Sequence, residues 1–244
     1  MSESPHLVVL SGAGISAESG IATFRASDGL WENHPVEAVA TPEAWARDPE
    51  RVLRFYDARR DQVRRARPNA AHKALAALEK RGFRVSIVTQ NIDDLHERAG
   101  SRHVLHLHGE ILQARSTANP TMRYPLRRGG IRLGDLCDLG SQLRPDVVWF
   151  GEPVPRYVEA QEIVAEADLL LVVGTSLAVM PAASLLHQAP LDAEAILVDP
   201  EAHQLAPPGV VRLSRPAGQG VPALVRHWQR EGRLWMPETL LGEA

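Results

Sequence analysis

The stretch VVLSGAGISAESGIATFR, residues 8 to 25, joins an apolar run of strand length to a glycine-rich loop. Gly12, Gly14 and Ala17 form the pattern G-x-G-x-x-A directly after that run. Glycine here lets the backbone approach a pyrophosphate, and the amide groups that follow can donate to its oxygens. A structural tight turn explains the same glycines. The polar loop from Thr23 to Arg25, with a charge and an aromatic ring, favours the ligand site.

Apolar runs rich in Val, Ile and Leu recur along the chain, and each has the length of a strand. They are HLVVL (6–10), RVSIVT (84–89), HVLHLHG (103–109), DVVWF (146–150), DLLLVVG (168–174) and EAILVD (194–199). Helical patterns lie between them, such as AHKALAALEKRG after Asn69 and YVEAQEIVAEA after Pro155. Alternating helices and continuous apolar strands predict an α/β fold with a doubly wound, Rossmann-like parallel sheet.

Two segments interrupt this alternation. Residues 31–70 contain a long charged helical pattern, and residues 111–144 mix Gly, Pro and Arg with little periodicity. Both leave the sheet and return to it, which predicts a small lobe built from two insertions. The Rossmann-like domain then comprises residues 1–30, 71–110 and 145–244.

Composition limits the functional classes. The chain has 244 residues, 44% of them hydrophobic, enough for a large core, and a formal net charge of -3 that argues against nucleic-acid binding as its main role. No apolar run approaches the roughly 20 residues that span a bilayer, and no leader is apparent, so we expect a cytoplasmic protein that does not enter membranes. Cys137 is the only cysteine, which excludes an intrachain disulfide and a multi-cysteine zinc site.

Polar or small residues also follow three other strands. Gly174, Thr175 and Ser176 end one strand, at the edge where an open parallel sheet offers its ligand crevice, and Asp199 ends another, where it can bind a ribose hydroxyl. TQNIDDLHERAG (89–100) follows a third, and its Asp and Asn residues equally suit the capping of the next helix.

Five motifs together are more specific than any one of them. GAGISAESGIATFR, TQNIDDLHERAG, HLHGE, VVWFGE and VVGTSLAVMPAA occur in the order and spacing typical of the sirtuins, the NAD-dependent protein lysine deacylases. The resemblance extends roughly from residue 6 to residue 230. It implies that NAD is the cofactor and that proteins or peptides with acylated lysine are the substrates.

The resemblance assigns cofactor contacts by motif. The residues that resemble the family's phosphate and ribose loop are Gly12, Ala13, Gly14, Thr23, Phe24 and Arg25. Those that resemble its nicotinamide contacts are Gln90, Asn91, Ile92 and Asp93. Those that resemble its contacts to the phosphates and adenosine are Gly174, Thr175, Ser176 and Ala217. Asp199 stands where many relatives have Asn, so its ribose contact departs from the family pattern.

Three histidines lie close together in HVLHLHGEILQARS (103–116). In a strand, His106 and His108 share a face that His103 does not, and a zinc site needs three or four convergent ligands, so we predict no metal here. The resemblance implies that His108 is the catalytic base, with Asn91 and Asp93 in the catalytic set. It also implies that nicotinamide leaves, that His108 helps to deprotonate a ribose hydroxyl, and that the products are free lysine and O-acyl-ADP-ribose.

The substrate site is predicted in two parts. DVVWF can pair with an extended peptide as an added strand, which makes Val147, Val148, Trp149 and Phe150 candidates, although an ordinary buried strand has the same pattern. Tyr56 and Arg59 share a helix face and form the Y-x-x-R spacing of the class III-like subgroup that removes malonyl, succinyl and glutaryl groups. Ala40 falls where that subgroup keeps a small acyl-pocket residue. The alternative is a solvated basic helix.

The zinc module typical of sirtuins is reduced in this sequence. Gln113, Ala114, Arg115 and Ser116 stand where the first of two C-x-x-C pairs is expected, so we predict a zinc-free lobe held by packing and polar contacts.

Two other functions use the same cofactor site. ADP-ribosyl transfer to a protein, or NAD hydrolysis, needs no productive acyl pocket. A non-catalytic NAD-sensing module needs no base, and the motif residues His108, Asn91 and Asp93 argue against it.

Overall fold

The computed structural model describes residues 4–23, 30–31 and 34–241. The strands in chain order are β1 (His6–Ser11), β2 (Leu30–Trp31), β3 (His34–Pro35), β4 (Arg84–Thr89), β5 (Val104–His106), β6 (Gly109–Ser116), β7 (Arg123–Pro125), β8 (Leu143–Val147), β9 (Leu169–Val173), β10 (Glu194–Val198) and β11 (Val211–Leu213). The α-helices are α1 (Gly14–Ala17), α2 (Val36–Val39), α3 (Pro42–Arg47), α4 (Pro49–Arg65), α5 (Ala70–Glu79), α6 (Leu95–Ala99), α7 (Tyr157–Ala165), α8 (Ala202–Leu205), α9 (Ala217–Glu231) and α10 (Glu238–Leu241), and Ala182–Gln188 form a 3-10 helix.

Six strands form one parallel sheet in the order β11-β10-β9-β1-β4-β5. The chain builds outward from β1 to β5, returns to β9 on the other side of β1, and builds outward again to β11. The direction of winding therefore reverses between β1 and β9, the switch point at which doubly wound sheets bind ligands. The predicted α/β class and doubly wound sheet are confirmed. Strand β11 was not predicted.

The central strand is buried on both faces. Leu7 and Val9 pack with α5 and α9, whereas Val8 and Leu10 pack with α7 and the 3-10 helix. Each such side chain removed from water contributes about 1.5–3 kcal/mol. Because both faces are covered, all four positions from Leu7 to Leu10 are apolar, which is why the sequence shows continuous rather than alternating hydrophobic runs.

Helix α5 begins where its capping residue predicts. Asn69 Oδ1 accepts a hydrogen bond from Ala71 N at 2.9 Å, and Asn69 N donates to His72 Nδ1 at 3.3 Å, which closes a capping box. Asn69 Nδ2 also donates to Ile15 O at 2.7 Å. The cap therefore joins this helix to the glycine loop after β1.

The charged helical pattern over residues 41–66 is two helices and not one. Asp48 separates them, and its Oδ1 accepts a hydrogen bond from Arg51 N at 2.9 Å at the start of α4. Pro49 occupies the first turn of α4, where its missing N–H costs nothing, but it cannot continue α3. Among the described residues no helix is both long enough and apolar enough to cross a bilayer.

A separate antiparallel sheet has the order β7-β6-β8. The strand predicted over residues 146–150 as part of the parallel sheet is therefore wrong in two respects: it ends at Val147, and it pairs with β6 of the antiparallel sheet. Beyond Val147, Val148 N still donates to His108 O at 2.9 Å in the same register, and Phe150 N then donates to Ala40 O at 3.0 Å, outside the sheet. The division into a Rossmann-like domain and a lobe of residues 31–70 and 111–144 stays a proposal.

Cys137 lies in the loop between β7 and β8 and is buried. Its Sγ lies 3.2 Å from Ser116 Oγ and 3.2 Å from Ser141 Oγ, and the two hydroxyl oxygens are 3.1 Å apart. These hydrogen bonds tie the end of β6 to the segment before β8. Over residues 4–23, 30–31 and 34–241, no group of three or more His, Cys, Asp and Glu residues is placed to hold a metal ion.

We expect the small antiparallel sheet to be independent of metal. Purified protein should contain far less than one zinc per chain by elemental analysis, and a chelator should leave the thermal unfolding midpoint unchanged, because hydrogen bonds between Ser116, Cys137 and Ser141 take the place of a metal tie. Stoichiometric zinc, or a midpoint that falls with chelator, contradicts this expectation.

Two buried histidines lie under the glycine loop. The rings of His72 and His96 are 4.8 Å apart, and His96 Nε2 is 3.1 Å from Ser11 Oγ. Burial lowers the pKa of His72 to about 4 and holds the pKa of His96 well below its ordinary range. Both rings are therefore neutral in the folded protein at pH 7, because burial disfavours the charged form of each ring.

This pair makes the protein sensitive to acid. The unfolded chain binds protons near pH 6.5 while the folded chain does not, so stability is full above about pH 6.5 and falls as the pH drops toward 4, by up to about 1.4 kcal/mol per pH unit for each histidine. Urea unfolding between pH 8 and pH 4.5 measures the slope. His72→Gln should make it shallower, whereas the exposed control His203→Gln should not; an unchanged slope in His72→Gln refutes the assignment.

Candidate active site

The candidate site lies at the carboxyl edge of the parallel sheet, at the switch point between β1 and β9. Gly12 N donates to Val173 O at 3.0 Å and Gly14 N to Gly174 O at 2.8 Å, so the loop after β1 rests on the loop after β9. Gly174 has a φ of 60°, in the left-handed region that favours glycine. The two glycine motifs predicted separately from the sequence therefore meet.

The glycines are required by this contact between loops. A Cβ on Gly12 would lie 2.7 Å from Gly174 O, and one on Gly14 would lie 2.6 Å from Gly174 Cα. A Cβ on Gly174 would overlap Ile15 N. A side chain at any of the three positions would force the loops apart and open the crevice between them.

Polar side chains after β4 converge on the same edge. Asn91 Nδ2 donates to Ser16 Oγ at 3.2 Å, and Ser16 Oγ donates to Asp93 Oδ2 at 3.1 Å. Gln90 Nε2 donates to Thr175 Oγ1 at 3.1 Å. These contacts link the loops after β1, β4 and β9. Ser16 connects two predicted site residues and was missed by the sequence reasoning, because a serine in a short helix carries no distinctive pattern.

Asp93 serves the helix as well as the cluster. Its Oδ1 accepts a hydrogen bond from Leu95 N at 3.1 Å, so the capping alternative describes one of its contacts. Burial raises the pKa of Asp93 above its ordinary value, against the opposing effect of these hydrogen bonds. With only 4% of its surface exposed, this carboxyl is held in one orientation at the edge of the crevice.

His108 lies in a turn after β5, and its ring is fixed by the backbone. The strand predicted over residues 103–109 spans only Val104–His106, so the argument from strand alternation does not extend to His108. His108 Nδ1 lies 3.0 Å from Gln90 O. A carbonyl only accepts, so Nδ1 carries the proton and Nε2 is the acceptor of the neutral ring. Burial lowers the pKa of His108, and this effect outweighs the raising effect of the hydrogen bond to the Gln90 carbonyl. The ring is therefore neutral at pH 7 and can act as a base.

Gly109 sets the turn that holds His108. It has a φ of 81°, and a Cβ there would overlap Asp146 O. The backbone of β6 therefore passes directly against β8 only because residue 109 is glycine.

The neighbouring His106 has both ring nitrogens occupied by hydrogen bonds within the protein. Its Nδ1 lies 2.8 Å from Asn91 O, and its Nε2 lies 2.8 Å from Glu97 Oε1. Burial acts to lower the pKa of His106, but the Glu97 carboxylate and the Asn91 carbonyl outweigh it, and the pKa is raised. His106 and His108 thus hold adjacent carbonyls of the loop after β4, while His103 is exposed.

A second cluster lies between α4 and the segment after β8. Tyr56 is fully buried, Arg59 is 6% exposed and Trp149 is 2% exposed. Trp149 Nε1 donates to Tyr56 Oη at 3.0 Å, and Arg59 Nη1 donates to Gln62 Oε1 at 2.8 Å. The alternative of a solvated basic helix is therefore wrong for these two positions of α4. Ala40 is 2% exposed, and its carbonyl accepts from Phe150 N.

Several predicted cofactor residues remain to be located, and two of them lie outside the described residues. Asp199 follows β10, and its Oδ1 accepts from Glu201 N at 2.9 Å; burial raises the pKa of this carboxyl. Ala217 begins α9. Ala13, Thr23 and Ile92 are half-buried, and Ser176 is exposed. Phe24 and Arg25 lie outside the described residues.

Comparison with known proteins gives one answer. The model of the Sir2 family matches residues 12–181. An NAD-dependent protein deacylase of Helicobacter pylori is 56% identical over 197 residues, which cover 81% of this chain and 85% of that protein. A solved Sir2 homologue in complex with NAD superposes with a TM-score of 0.84 at 44% identity, over 95% of this chain and 92% of that one. A Sir2 homologue mutant in complex with ADP-ribose gives 0.85 at 43% identity, over 96% of both chains.

The family match covers more than half of the chain, and the Helicobacter protein matches most of it at high identity, so this protein belongs to the Sir2 family.

Proposed function

We propose that this protein is an NAD-dependent protein lysine deacylase that prefers succinyl- and malonyl-lysine and also accepts acetyl-lysine, giving nicotinamide and O-acyl-ADP-ribose. The NAD-dependent part rests on the family and on relatives named as deacylases. One observation carries the acyl preference: Tyr56 and Arg59, one turn apart on α4, are both buried, and Tyr56 Oη accepts a hydrogen bond from Trp149 Nε1.

The crevice fits a dinucleotide. The sheet order corresponds to that of dinucleotide-binding folds, and the switch point is bordered by the glycine loops after β1 and β9, which pack directly against each other. Buried polar side chains border the crevice next to these glycines, and Asp199 lies further along the same edge. NAD, when bound, supplies an electrophilic ribose carbon and nicotinamide as the leaving group.

The chain's own residues then act on a defined proton. His108 is neutral, donates through Nδ1 to Gln90 O, and accepts a proton from a hydroxyl group at Nε2. Asn91 and Asp93 are held by Ser16 in a buried cluster, which fixes the polar wall on the nicotinamide side. Such a prearranged wall needs little reorganisation during reaction.

Electrostatics favour a negatively charged acyl group. A guanidinium and a phenol hydroxyl bind a carboxylate by charge-assisted hydrogen bonds. A groove of about 440 Å³ beside Arg59 is also lined by Arg51, Arg54 and Arg65 of α4. A carboxylate that enters this groove would meet these arginines and Arg59. Substrate contacts by Val147, Val148, Trp149 and Phe150 are part of this proposal. Of these four residues, only Val147 lies in strand β8.

His108→Ala should abolish deacylation, with kcat reduced by at least about a hundredfold, because the general base is lost. Its unfolding midpoint should stay close to the wild-type value. The control is His203→Ala, an exposed histidine on α8. Mass spectrometry of the products identifies the reaction: O-acyl-ADP-ribose is expected, whereas ADP-ribose alone indicates NAD hydrolysis. Retained turnover in His108→Ala removes the assignment.

The pH profile of kcat/KM should follow the His108 base. Its pKa is lowered by burial, so the neutral ring persists below pH 6.5, and activity should be lost only as the pH falls through the lowered value. An acid limb above pH 6.5 in the wild-type profile contradicts a neutral buried base.

Arg59→Met should raise KM for a succinyl-lysine peptide by about ten- to a hundredfold, since a hydrogen bond to a charged group contributes roughly 1.5–3 kcal/mol. KM for the acetyl-lysine peptide of the same sequence should change little. Arg230→Met, an exposed arginine on α9, is the matched control. Equal effects on both peptides, or none, would leave the enzyme a general deacetylase.

A further inference from the structure

A charged cluster of Glu152, Arg115 and Arg144 contacts Trp149. The Glu152 carboxylate accepts hydrogen bonds from Arg144 Nη1 at 2.6 Å, from Arg115 Nη2 at 3.1 Å and from the backbone N of Trp149 at 2.8 Å. Arg115 and Arg144 are about nine-tenths buried. Glu152 therefore joins β6, β8 and the segment after β8 at one point.

Arg144 fixes the indole ring as well as the carboxylate. Its Nη2 donates to Val147 O at 2.9 Å, and its guanidinium carbon lies 3.2 Å from the centre of the Trp149 ring. A cation stacked on an aromatic face is attracted to it more strongly when the pair is shielded from water. Trp149 is thus held at its backbone by Glu152 and at its ring by Arg144.

The Trp149 indole also contacts α4. Trp149 Nε1 donates to Tyr56 Oη at 3.0 Å, and the two rings are 6.5 Å apart with an angle of 37° between them. A phenol oxygen that accepts one such bond has its O–H direction restricted by it. The orientation of the Tyr56 hydroxyl therefore depends on the position of Trp149.

The protonation of Glu152 suits this task. Burial acts to raise the pKa of Glu152, but the hydrogen bonds from Arg144 and Trp149 and the charges of Arg144 and Arg115 outweigh it and hold the pKa below its usual range. The carboxylate stays ionised, with its oxygens occupied as acceptors at neutral pH.

We propose that Glu152, held by Arg115 and Arg144, is a positioning residue for acyl specificity: it fixes Trp149 and, through the indole N–H, orients the Tyr56 hydroxyl toward an acyl carboxylate. This inference rests on the proposed preference for charged acyl groups. In this role Glu152 acts through Trp149, from whose backbone N–H it accepts a hydrogen bond.

Glu152→Gln tests the inference most directly. A glutamine has one acceptor oxygen and one donor nitrogen, so it cannot serve two arginines and the Trp149 N–H together. The ratio of KM for succinyl-lysine peptide to KM for acetyl-lysine peptide should rise roughly tenfold. Glu159→Gln, which neutralises an exposed glutamate paired with Arg156 on α7, is the matched control and should leave the ratio unchanged.

Trp149→Phe covers the case in which Glu152→Gln fails to fold. Phenylalanine keeps an aromatic ring for Arg144 and leaves the Arg–Glu contacts in place, but removes the indole N–H. The same rise in the KM ratio is expected, and an unchanged ratio overturns the proposal.

A double-mutant cycle separates positioning from a general loss of stability. If Glu152 acts through the Tyr56 hydroxyl, Glu152→Gln combined with Tyr56→Phe should change the KM ratio no more than Tyr56→Phe alone. Additive effects overturn the inference, as does an equal rise in KM for both peptides in Glu152→Gln.

The two levels of the proposal fail differently. If Tyr56→Phe and Arg59→Met leave the ratio of KM for succinyl-lysine peptide to KM for acetyl-lysine peptide unchanged, the preference for charged acyl groups is refuted. The positioning role is then refuted with it. If those variants shift the ratio and Glu152→Gln does not, the positioning role alone is overturned.

Discussion

The close approach of Gly14 to Gly174 is the constraint on which the rest of the molecule depends. The Gly14 N–H donates to the Gly174 carbonyl, and neither residue has room for a side chain. This contact brings the loops after β1 and β9 together at the point where the sheet reverses its direction of winding. Thr175 is then within reach of Gln90, and Ser16 within reach of Asn91. The glycine pattern is thus explained first by backbone packing, and the crevice is a consequence of that packing.

A second centre lies where the two sheets meet. Residues 148–150 leave strand β8 and use their N–H groups for His108 O, the Glu152 carboxylate and Ala40 O in turn. One short segment therefore touches the candidate base and the candidate acyl pocket. The small sheet is stabilised by arginine–carboxylate pairs and by the hydrogen bonds around Cys137.

The histidines illustrate how environment separates residues of one type. His72 and His96 are kept neutral by burial, His106 is drawn toward the charged form by Glu97, and His108 is neutral with one nitrogen occupied. Of these four, only His108 combines neutrality, a fixed tautomer and partial exposure. Those are the properties that proton transfer at pH 7 requires.

The sequence by itself determined the parallel sheet, the start of α5 and the family. Strands covered on both faces must be apolar throughout, and a capping Asn acts on its own helix, so these features are visible in short stretches of sequence. The tertiary structure decided where β8 pairs, how the turn holds His108, and that Tyr56 and Arg59 are buried. Tyr56 and Trp149 are 93 residues apart, and Ser16 and Asp93 are 77 apart. Local periodicity reports only on neighbours within a turn or a strand, so contacts that close such long loops become visible only when the chain is folded.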